Sequence, residues 1–377
     1  MDILIAGDLV PQDRTLEIIK KHKYNTLFGQ VAKYINECDY SLVNLEAPIV
    51  LVGAGVPIKK CGPNLRAPIE VIDAIQYAGF KGVTLANNHF YDYGEDGVSY
   101  TLQSLKKSNI DYVGAGSNLV EAESVLYKNI CGKIVAFINC CEHEYSIATD
   151  STGGSNPLNP IRIYQLIQEA KGESDYIIVI VHGGIEGYQL PTSRMQEEYR
   201  FFVEVGADAV VNHHQHCYSG YEYYKGKPIF YGLGNFCFDW AGKRNSIWNE
   251  GFMIRLSFEC NEIKHAMIPY IQGDEEAGVV LMQGERIRRF ESSICKLNKI
   301  ISIPSRLKLE HEKYMVETAR SQRYSLCPFA NKYLAALYVR GFLPELFPVS
   351  KLRILQNRIM CESHRERILF YLSNKLK

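Results

Sequence analysis

Residues 207–216 read Ala207-Asp208-Ala209-Val210-Val211-Asn212-His213-His214-Gln215-His216. The apolar half of this stretch predicts a short buried strand, and three histidines follow directly after it. Neutral imidazole is the commonest protein ligand for a transition metal. It is a poor choice for a core, because its ring nitrogens need hydrogen-bond partners. Since the chain has only 10 histidines, this cluster predicts a metal site at the end of a strand.

Four other predicted strands also end in side chains that can bind a metal. These side chains are Asp8, Glu46, Asn88 with His89, and His182. Ligands bind at the carboxyl ends of strands in open α/β sheets, so we expect the five loops to converge. Carboxylate, amide and imidazole donors without thiolate favour Mn²⁺, Fe or Zn²⁺, with one or two ions per chain.

Each of these residues also has an ordinary structural interpretation. Asp8 and Glu46 can cap helices. Asn87 and Asn88 can occupy turns, and His182 can be a hydrogen-bonded core histidine. Taken together, five strand ends that each offer a ligand favour one shared site over five separate explanations.

The first 240 residues alternate short apolar runs with amphipathic segments, which is typical of an α/β sheet protein. Strands are predicted at Ile3–Gly7, Tyr40–Leu45, Gly82–Ala86, Lys133–Cys140, Tyr176–Val181 and Ala207–Val211. Helices are predicted at Ile69–Ala78, Gly94–Lys107, Pro160–Ala170 and Thr192–Val205. A hairpin over Tyr221–Tyr231 and two strands, Gly251–Phe258 and Glu262–Ile271, complete the predicted sheets.

The composition and periodicity of the sequence change near residue 285, where glycine becomes rare and apolar residues recur at helical spacing. Residues 281–377 hold 19 Lys and Arg against 8 Asp and Glu, a net charge of +11, and the first 280 residues carry −11. We therefore predict a sheet domain over 1–275 and a basic helical C-terminal region over 285–377. The cations are dispersed, which favours a helical cap over a nucleic-acid contact.

Cysteine usage and hydropathy bear on the compartment. The 11 cysteines are scattered, with no CxxC pair, as expected for reduced thiols in a cytoplasm. No run reaches 18 apolar residues and the start of the chain resembles a core strand. We expect a cytoplasmic protein without a leader or an integral membrane segment, and peripheral contact of the basic tail with a membrane stays open.

A set of short motifs resembles the CapA/PgsA family of bacterial capsule and poly-γ-glutamate synthesis proteins, which is similar to the calcineurin-type metallophosphoesterases. The resemblance covers about residues 1–260 and rests on 7–8, 44–46, 85–89, 92–94, 113–116, 182–186, 206–208, 213–216, 226–231 and 233–239. It implies a metallophosphoesterase-like four-layer α/β/β/α sandwich with a C-terminal helical appendage.

The resemblance also implies roles for individual residues. Six side chains would hold metal: Asp8, Glu46, Asn88, His182, His214 and His216. Glu46 falls at the bridging position, and the final histidine pair would give one imidazole to each of two metals. His89 resembles the general acid that protonates the leaving oxygen, so the expected catalytic residues include His89 and Asp8.

Four positions depart from the metallophosphoesterase pattern. Val10 stands where the first motif usually has histidine, so metal one loses a ligand. Glu46 is one methylene longer than the usual aspartate. Asn212 replaces a glycine, and Gly183 replaces a tryptophan.

Further residues near these motifs are candidates for catalysis or substrate binding. Glu186 follows His182 by four residues in a glycine-rich loop. It is expected to orient His182 or to bind a substrate amine. Arg66 and Arg194 can each bind an anion in a bidentate manner, although a solvated surface arginine is the plainer interpretation for either one. Asn44 and His213 complete the predicted substrate-binding set.

Two functional hypotheses follow from these residues. The first is a metal-dependent phosphoesterase-like hydrolase that acts on an anionic polymer or a phosphoester in cell-surface polymer synthesis. The second is a non-catalytic protein that binds metal or polyanion as an accessory of a capsule assembly or export machine. The second would have capsule synthase components as partners, and the missing first-motif histidine favours it.

Overall fold

The structure is a computed structural model that describes residues 1–51, 53–259, 262–344 and 346–376. The chain forms two compact units, Met1–Lys308 and Leu309–Lys377. All of the predicted ligands lie in the first unit.

Sixteen strands form in the described residues, and their bounds follow in chain order. They are β1 (Asp2–Leu9), β2 (Tyr40–Leu45), β3 (Gly82–Thr84), β4 (Asp111–Val113), β5 (Ala115–Gly116), β6 (Leu126–Ile130), β7 (Lys133–Cys141), β8 (Gly154–Ser155), β9 (Tyr176–His182), β10 (Ala209–His213), β11 (Tyr221–Tyr224), β12 (Lys227–Phe230), β13 (Asn235–Cys237), β14 (Glu250–Glu259), β15 (Glu262–Gln272) and β16 (Val279–Leu281). The predicted hairpin over Tyr221–Tyr231 is confirmed, because β11 and β12 pair in antiparallel register.

In the part of the chain that the structure describes, thirteen α-helices connect or follow these strands. They are α1 (Asp13–Lys20), α2 (Tyr24–Phe28), α3 (Ala32–Asn36), α4 (Val71–Ala78), α5 (Gly94–Lys107), α6 (Leu119–Ala122), α7 (Pro160–Lys171), α8 (Ser193–Val205), α9 (Glu285–Ile301), α10 (Pro304–Gln322), α11 (Lys332–Val339), α12 (Val349–Met360) and α13 (Glu362–Leu376). Short 3-10 helices span Ala241–Lys243, Ile247–Asn249 and Arg323–Leu326. Of the predicted helices, 94–107 matches α5 at both ends, and α8 starts one residue after Thr192, whose hydroxyl caps it.

The strands build two large sheets with parallel centres. The first has the order β16-β15-β14-β1-β2-β3-β4, with β13 also paired to β1, and the second has the order β11-β12-β10-β9-β7-β6. Strands β1 to β4 run parallel in the first sheet, as do β12, β10, β9 and β7 in the second. The carboxyl ends of β1, β2, β3, β9 and β10 therefore open toward the loops that carry the predicted ligands.

The two sheets pack face to face with helices on both outer faces. Tyr40 packs on Phe137 at 5.4 Å between ring centroids, and Tyr176 packs on Phe258 at 4.6 Å, so aromatic rings join one sheet to the other. Apolar side chains of α1 to α5 share a core with the first sheet, and α7 and α8 cover the second. The predicted α/β/β/α order of layers is confirmed.

The division between the two units differs from the boundary that the composition predicts at 275–285. Helix α9 carries the basic composition of the C-terminal region, yet its residues Phe290, Ile294, Leu297 and Ile301 are buried. Phe290 packs on Tyr218 at 4.9 Å and on Phe252 at 5.7 Å between ring centroids. The apolar face of α9 packs on the sheet domain even though the helix is basic. The first unit therefore continues to Lys308.

The second unit is helical, as predicted for the C-terminal region, and in it α12 packs against α13. Among the residues that the structure describes, no helix has the length and apolar character needed to cross a membrane.

Candidate metal centre

Six side chains predicted as metal ligands lie together at the carboxyl ends of the parallel strands. Asp8 is the penultimate residue of β1, and Glu46 follows β2 directly. His182 ends β9, and the residues that complete the cluster are Asn88, His214 and His216. All six are buried, with at most 7% of each residue exposed.

The donor atoms form two overlapping groups of three, and Glu46 belongs to both. In the first group, Nε2 of His182 lies 3.4 Å from Oε1 of Glu46 and 3.1 Å from Nδ1 of His214. The amide oxygen of Asn88 also approaches Nε2 of His182, at 3.1 Å. Four donor atoms from three loops and one strand end thus face a common point.

The second group contains Asp8, Glu46 and His216. Nδ1 of His216 lies 3.5 Å from Oδ2 of Asp8, and its Nε2 lies 3.8 Å from Oε1 of Glu46. Asn235 at the start of β13 accepts a hydrogen bond from Nδ1 of His216 at 2.9 Å. This bond leaves Nε2 of His216 free to face Glu46.

The carboxylate of Glu46 tests whether these residues suit a cation. It is fully buried, and neither of its oxygens has a hydrogen-bond partner among the described residues. A buried ionised carboxylate without a partner is costly, and a bound cation removes that cost. Oxygen and imidazole donors without thiolate fit Mn²⁺, Fe or Zn²⁺.

His214 and His216 reach the cluster through a strained backbone conformation. His214 has a φ of 88° and His216 a φ of 54°, in the left-handed region that residues other than glycine seldom adopt. Gly7 permits the close approach of β1, because a Cβ at this position would lie 1.8 Å from the carbonyl oxygen of Gly234. A side chain at Gly7 would displace Asp8, the next residue.

Two residues predicted to bind substrate lie beneath the cluster instead. Asn44 is 0% exposed. It donates a hydrogen bond to Oδ1 of Asp8 at 2.8 Å and lies 3.3 Å from Nδ1 of His182. His213 is 2% exposed and its Nε2 donates to the carbonyl oxygen of Ala6 at 3.0 Å, which ties one sheet to the other. The alternation of side chains along β2 and β10 turns both residues inward, beneath the six clustered side chains.

His89 lies beside the cluster, and its partners Asp92 and Lys60 are not indicated by the motif that contains it. Its Nδ1 is 2.7 Å from Oδ2 of Asp92 and 3.1 Å from Nζ of Lys60. Lys60 also forms an ion pair with Asp92, and only 3% of its side chain is exposed. The amide of Leu65 donates to the same carboxylate at 2.6 Å. A buried lysine in a segment without periodic pattern gives no signal in the sequence.

The remaining candidates lie at the exposed edge of the buried cluster, which we call the rim. Glu186 is exposed in the loop after β9, and the ring nitrogens of His182 face Asn44, Asn88 and His214 rather than Glu186. Arg66 is exposed and its guanidinium lies 5.9 Å from the ring centroid of Tyr93. The Arg194 guanidinium forms ion pairs with two carboxylates of its own surroundings, those of Glu142 and Glu198.

Burial and mutual charge shift the pKa values of the ligands in opposite directions. Burial raises the pKa of Glu46 well above its ordinary value. Burial also opposes ionisation of Asp8, but the hydrogen bond to His216 and the surrounding imidazoles hold the pKa of Asp8 well below its usual range. For His216 burial lowers the pKa, and the stronger attraction of Glu46 and Asp8 raises it to about 9.

The net pKa shift of the other two imidazoles is downward, opposite to that of His216. Burial lowers the pKa of His182, and repulsion from His214 lowers it further. Burial also lowers the pKa of His214, and there the repulsion comes from His216. His182 and His214 are therefore neutral and present lone pairs, as a metal site requires.

Much of the first unit matches a known protein family. Residues 2–240 match the family described as bacterial capsule synthesis protein PGA_cap. The chain belongs to this family.

Two relatives are similar to this chain over 65% of its length. The capsule biosynthesis protein CapA of Bacillus anthracis is 33% identical over 256 residues, which are 65% of this chain and 62% of that protein. The PGA biosynthesis protein CapA of Bacillus subtilis is 30% identical over 253 residues, 65% of this chain and 66% of that protein. The matched region thus spans a little under two thirds of either relative.

Among solved structures, the chain is similar to a phosphatase from Mycoplasma pneumoniae. The sequence identity is 13% and the TM-score is 0.46, over 76% of this chain and 96% of the other. This likeness is remote, and the assignment of the layers rests on the sheet topology of the chain itself.

Proposed function

We propose that this chain is a metal-dependent, phosphoesterase-like hydrolase in the synthesis of a capsule or of a related anionic cell-surface polymer such as poly-γ-glutamate. The observation that carries the proposal is the buried carboxylate of Glu46, which lacks hydrogen bonds and is shared by two groups of donors. The names of the family and of its two relatives support the polymer context.

Asp8, Glu46, Asn88, His182, His214 and His216 would hold one or two divalent ions. A bound ion would supply Lewis-acid polarisation of the ester and a nucleophile at neutral pH. Residues beneath the donors would keep them in place: the amide of Asn44 donates to Asp8 and lies 3.3 Å from Nδ1 of His182.

His89 is the proposed acid for the leaving oxygen. Its Nδ1 is held against Asp92 at 2.7 Å, so Nε2 is the nitrogen that can deliver a proton to a leaving group. Lys60 fixes Asp92 from the other side. The pair orients the imidazole in the same way that a carboxylate orients a catalytic histidine in other hydrolases.

The proposal is tested by assaying phosphomonoesters and phosphodiesters with added Mn²⁺. Wild-type protein should hydrolyse at least one class. His89→Ala and His214→Ala should lose that activity, whereas His143→Ala, an exposed histidine two residues from β7, should retain it. Equal activity of all four proteins would exclude catalysis at this cluster.

A second candidate function is a non-catalytic metal-binding accessory of polymer assembly, and one observation favours it. Val10 is 1% exposed in the core where the metallophosphoesterase pattern has a histidine. The second donor group therefore has three protein donors, Asp8, Glu46 and His216. Stoichiometric metal binding without turnover of any phosphoester, together with capture of synthase components, would select this function.

A further inference from the structure

Glu144 is a half-exposed carboxylate in the segment after β7, and it lies beside two residues of the candidate metal centre, Asn88 and His214. Its Oε2 lies 3.5 Å from Nδ2 of Asn88, and its Oε1 lies 4.0 Å from Nε2 of His214. About 41% of its side chain is exposed, so it stands at the edge of the buried donors.

The contact with His214 bears on which ring nitrogen can bind a metal. The 4.0 Å separation is longer than a hydrogen bond, but a negative carboxylate at this distance from Nε2 favours a proton on that nitrogen and the lone pair on Nδ1. In His214, Nδ1 is the atom that faces His182 Nε2, at 3.1 Å. Glu144 therefore favours the tautomer that the donor group needs.

The contact with Asn88 also turns a donor atom toward the other donors. Because the amide nitrogen of Asn88 is turned to Glu144, its oxygen is turned to Nε2 of His182, at 3.1 Å. Only the oxygen of an amide can bind a cation. One carboxylate thus orients two ligands that come from different sheets.

We propose that Glu144 is a positioning residue for the donor group that contains Asn88, His182 and His214. The inference rests on the proposed metal binding and adds a residue that neither the motifs nor the donor groups include. Glu144 lies behind its ligands and does not bind the ion, as outer carboxylates do behind metal-bound histidines.

An effect of Glu144 on metal binding has a competing explanation, which is simple attraction between negative charges at the rim and a cation. Replacing Glu186 distinguishes this explanation from positioning. Glu186 is also exposed at the rim, and its charge acts on Glu46, His214 and His216 through space. Removing it takes away a similar charge without removing a contact to Asn88 or His214. Glu186→Gln is therefore the matched control.

The experiment is calorimetric titration of the purified full chain with Mn²⁺, for wild type and for Glu144→Ala, Glu144→Gln and Glu186→Gln. Glu144→Ala should weaken Mn²⁺ binding by about 10- to 100-fold, the usual effect of losing an outer carboxylate. Glu144→Gln, which keeps one oxygen acceptor, should fall between Glu144→Ala and wild type. Glu186→Gln should change the affinity by less than about threefold, because exposed charges are screened by water.

Thermal unfolding of the metal-free variants accompanies the titration. Since Glu144 is half-exposed, the metal-free melting temperature should not move, which separates positioning from a general loss of structure. Equal affinities for wild type and Glu144→Ala, or equal losses for Glu144→Ala and Glu186→Gln, would overturn the role of Glu144 and leave the proposed function standing. Absence of Mn²⁺ binding in the wild type would overturn both.

Discussion

Oε1 of Glu46 lies 3.4 Å from Nε2 of His182, and the carboxylate accepts no hydrogen bond from any described residue. Glu46 comes from the first sheet and His182 from the second, so the contact joins the two halves of the sandwich at their carboxyl ends. A bound cation would neutralise this buried group.

Tryptophan fluorescence should report metal binding. The chain has two tryptophans, and the ring centroid of Trp248 lies 4.5 Å from that of His216. We expect saturable quenching of the emission when paramagnetic Mn²⁺ is added. Trp240→Phe should keep this response and Trp248→Phe should lose it. The opposite assignment, or no quenching in the wild type, would contradict binding at His216.

Replacing Lys60 by methionine should destabilise the fold. The change leaves the buried Asp92 carboxylate without its cation, and breaking a buried pair in this way costs about 3 kcal/mol or more. Urea unfolding measures the loss. Lys59→Met is the matched control, because Lys59 is the exposed neighbour and its replacement should cost less than about 0.5 kcal/mol. Similar losses for the two variants would show that the pair is not structural.

The leaving group should decide how much His89 matters. If His89 protonates the leaving oxygen, His89→Ala should slow hydrolysis of alkyl phosphodiesters by about 100- to 10,000-fold. Esters of p-nitrophenol should be much less affected, because that leaving group departs without a proton. A uniform loss across both substrate classes would assign His89 to binding or structure instead.

Metal affinity should increase with pH up to about pH 9. His216 has a pKa raised to about 9 by Glu46 and Asp8, so below that pH a proton must leave before the ring can bind an ion. The apparent affinity for Mn²⁺ should therefore increase by roughly tenfold per pH unit between pH 6 and 9 and then level off. Competition titrations at fixed ionic strength measure the slope. An affinity independent of pH would mean that His216 is not a ligand.

Much of this site could be predicted because a strand and the polar residue at its end can be recognised from the local sequence pattern. Apolar runs identify strands, and polar residues at strand ends identify Asp8, Glu46 and the residues of the histidine cluster. Which way a side chain faces is harder to predict. Asn44 and His213 sit among the ligands in the sequence and point beneath them in the fold.

Lys60 and Glu144 could not be found in this way. Both lie in irregular segments, and each acquires its partners only when distant parts of the chain meet: Lys60 from Asp92, and Glu144 from Asn88 and His214. Helix α9 shows the same limit for the boundary between the units. Its basic composition marks it as part of the tail, while its buried face assigns it to the sheet domain.

The most direct test of the metal centre is an anomalous difference map from crystals of the full chain soaked in Mn²⁺. The map should contain a peak within about 2.0–2.3 Å of a carboxylate oxygen of Glu46, Nε2 of His182 and Nδ1 of His214. The peak should vanish in Glu46→Gln crystals. A map of well-diffracting, saturated crystals with no peak among these three residues would contradict the account.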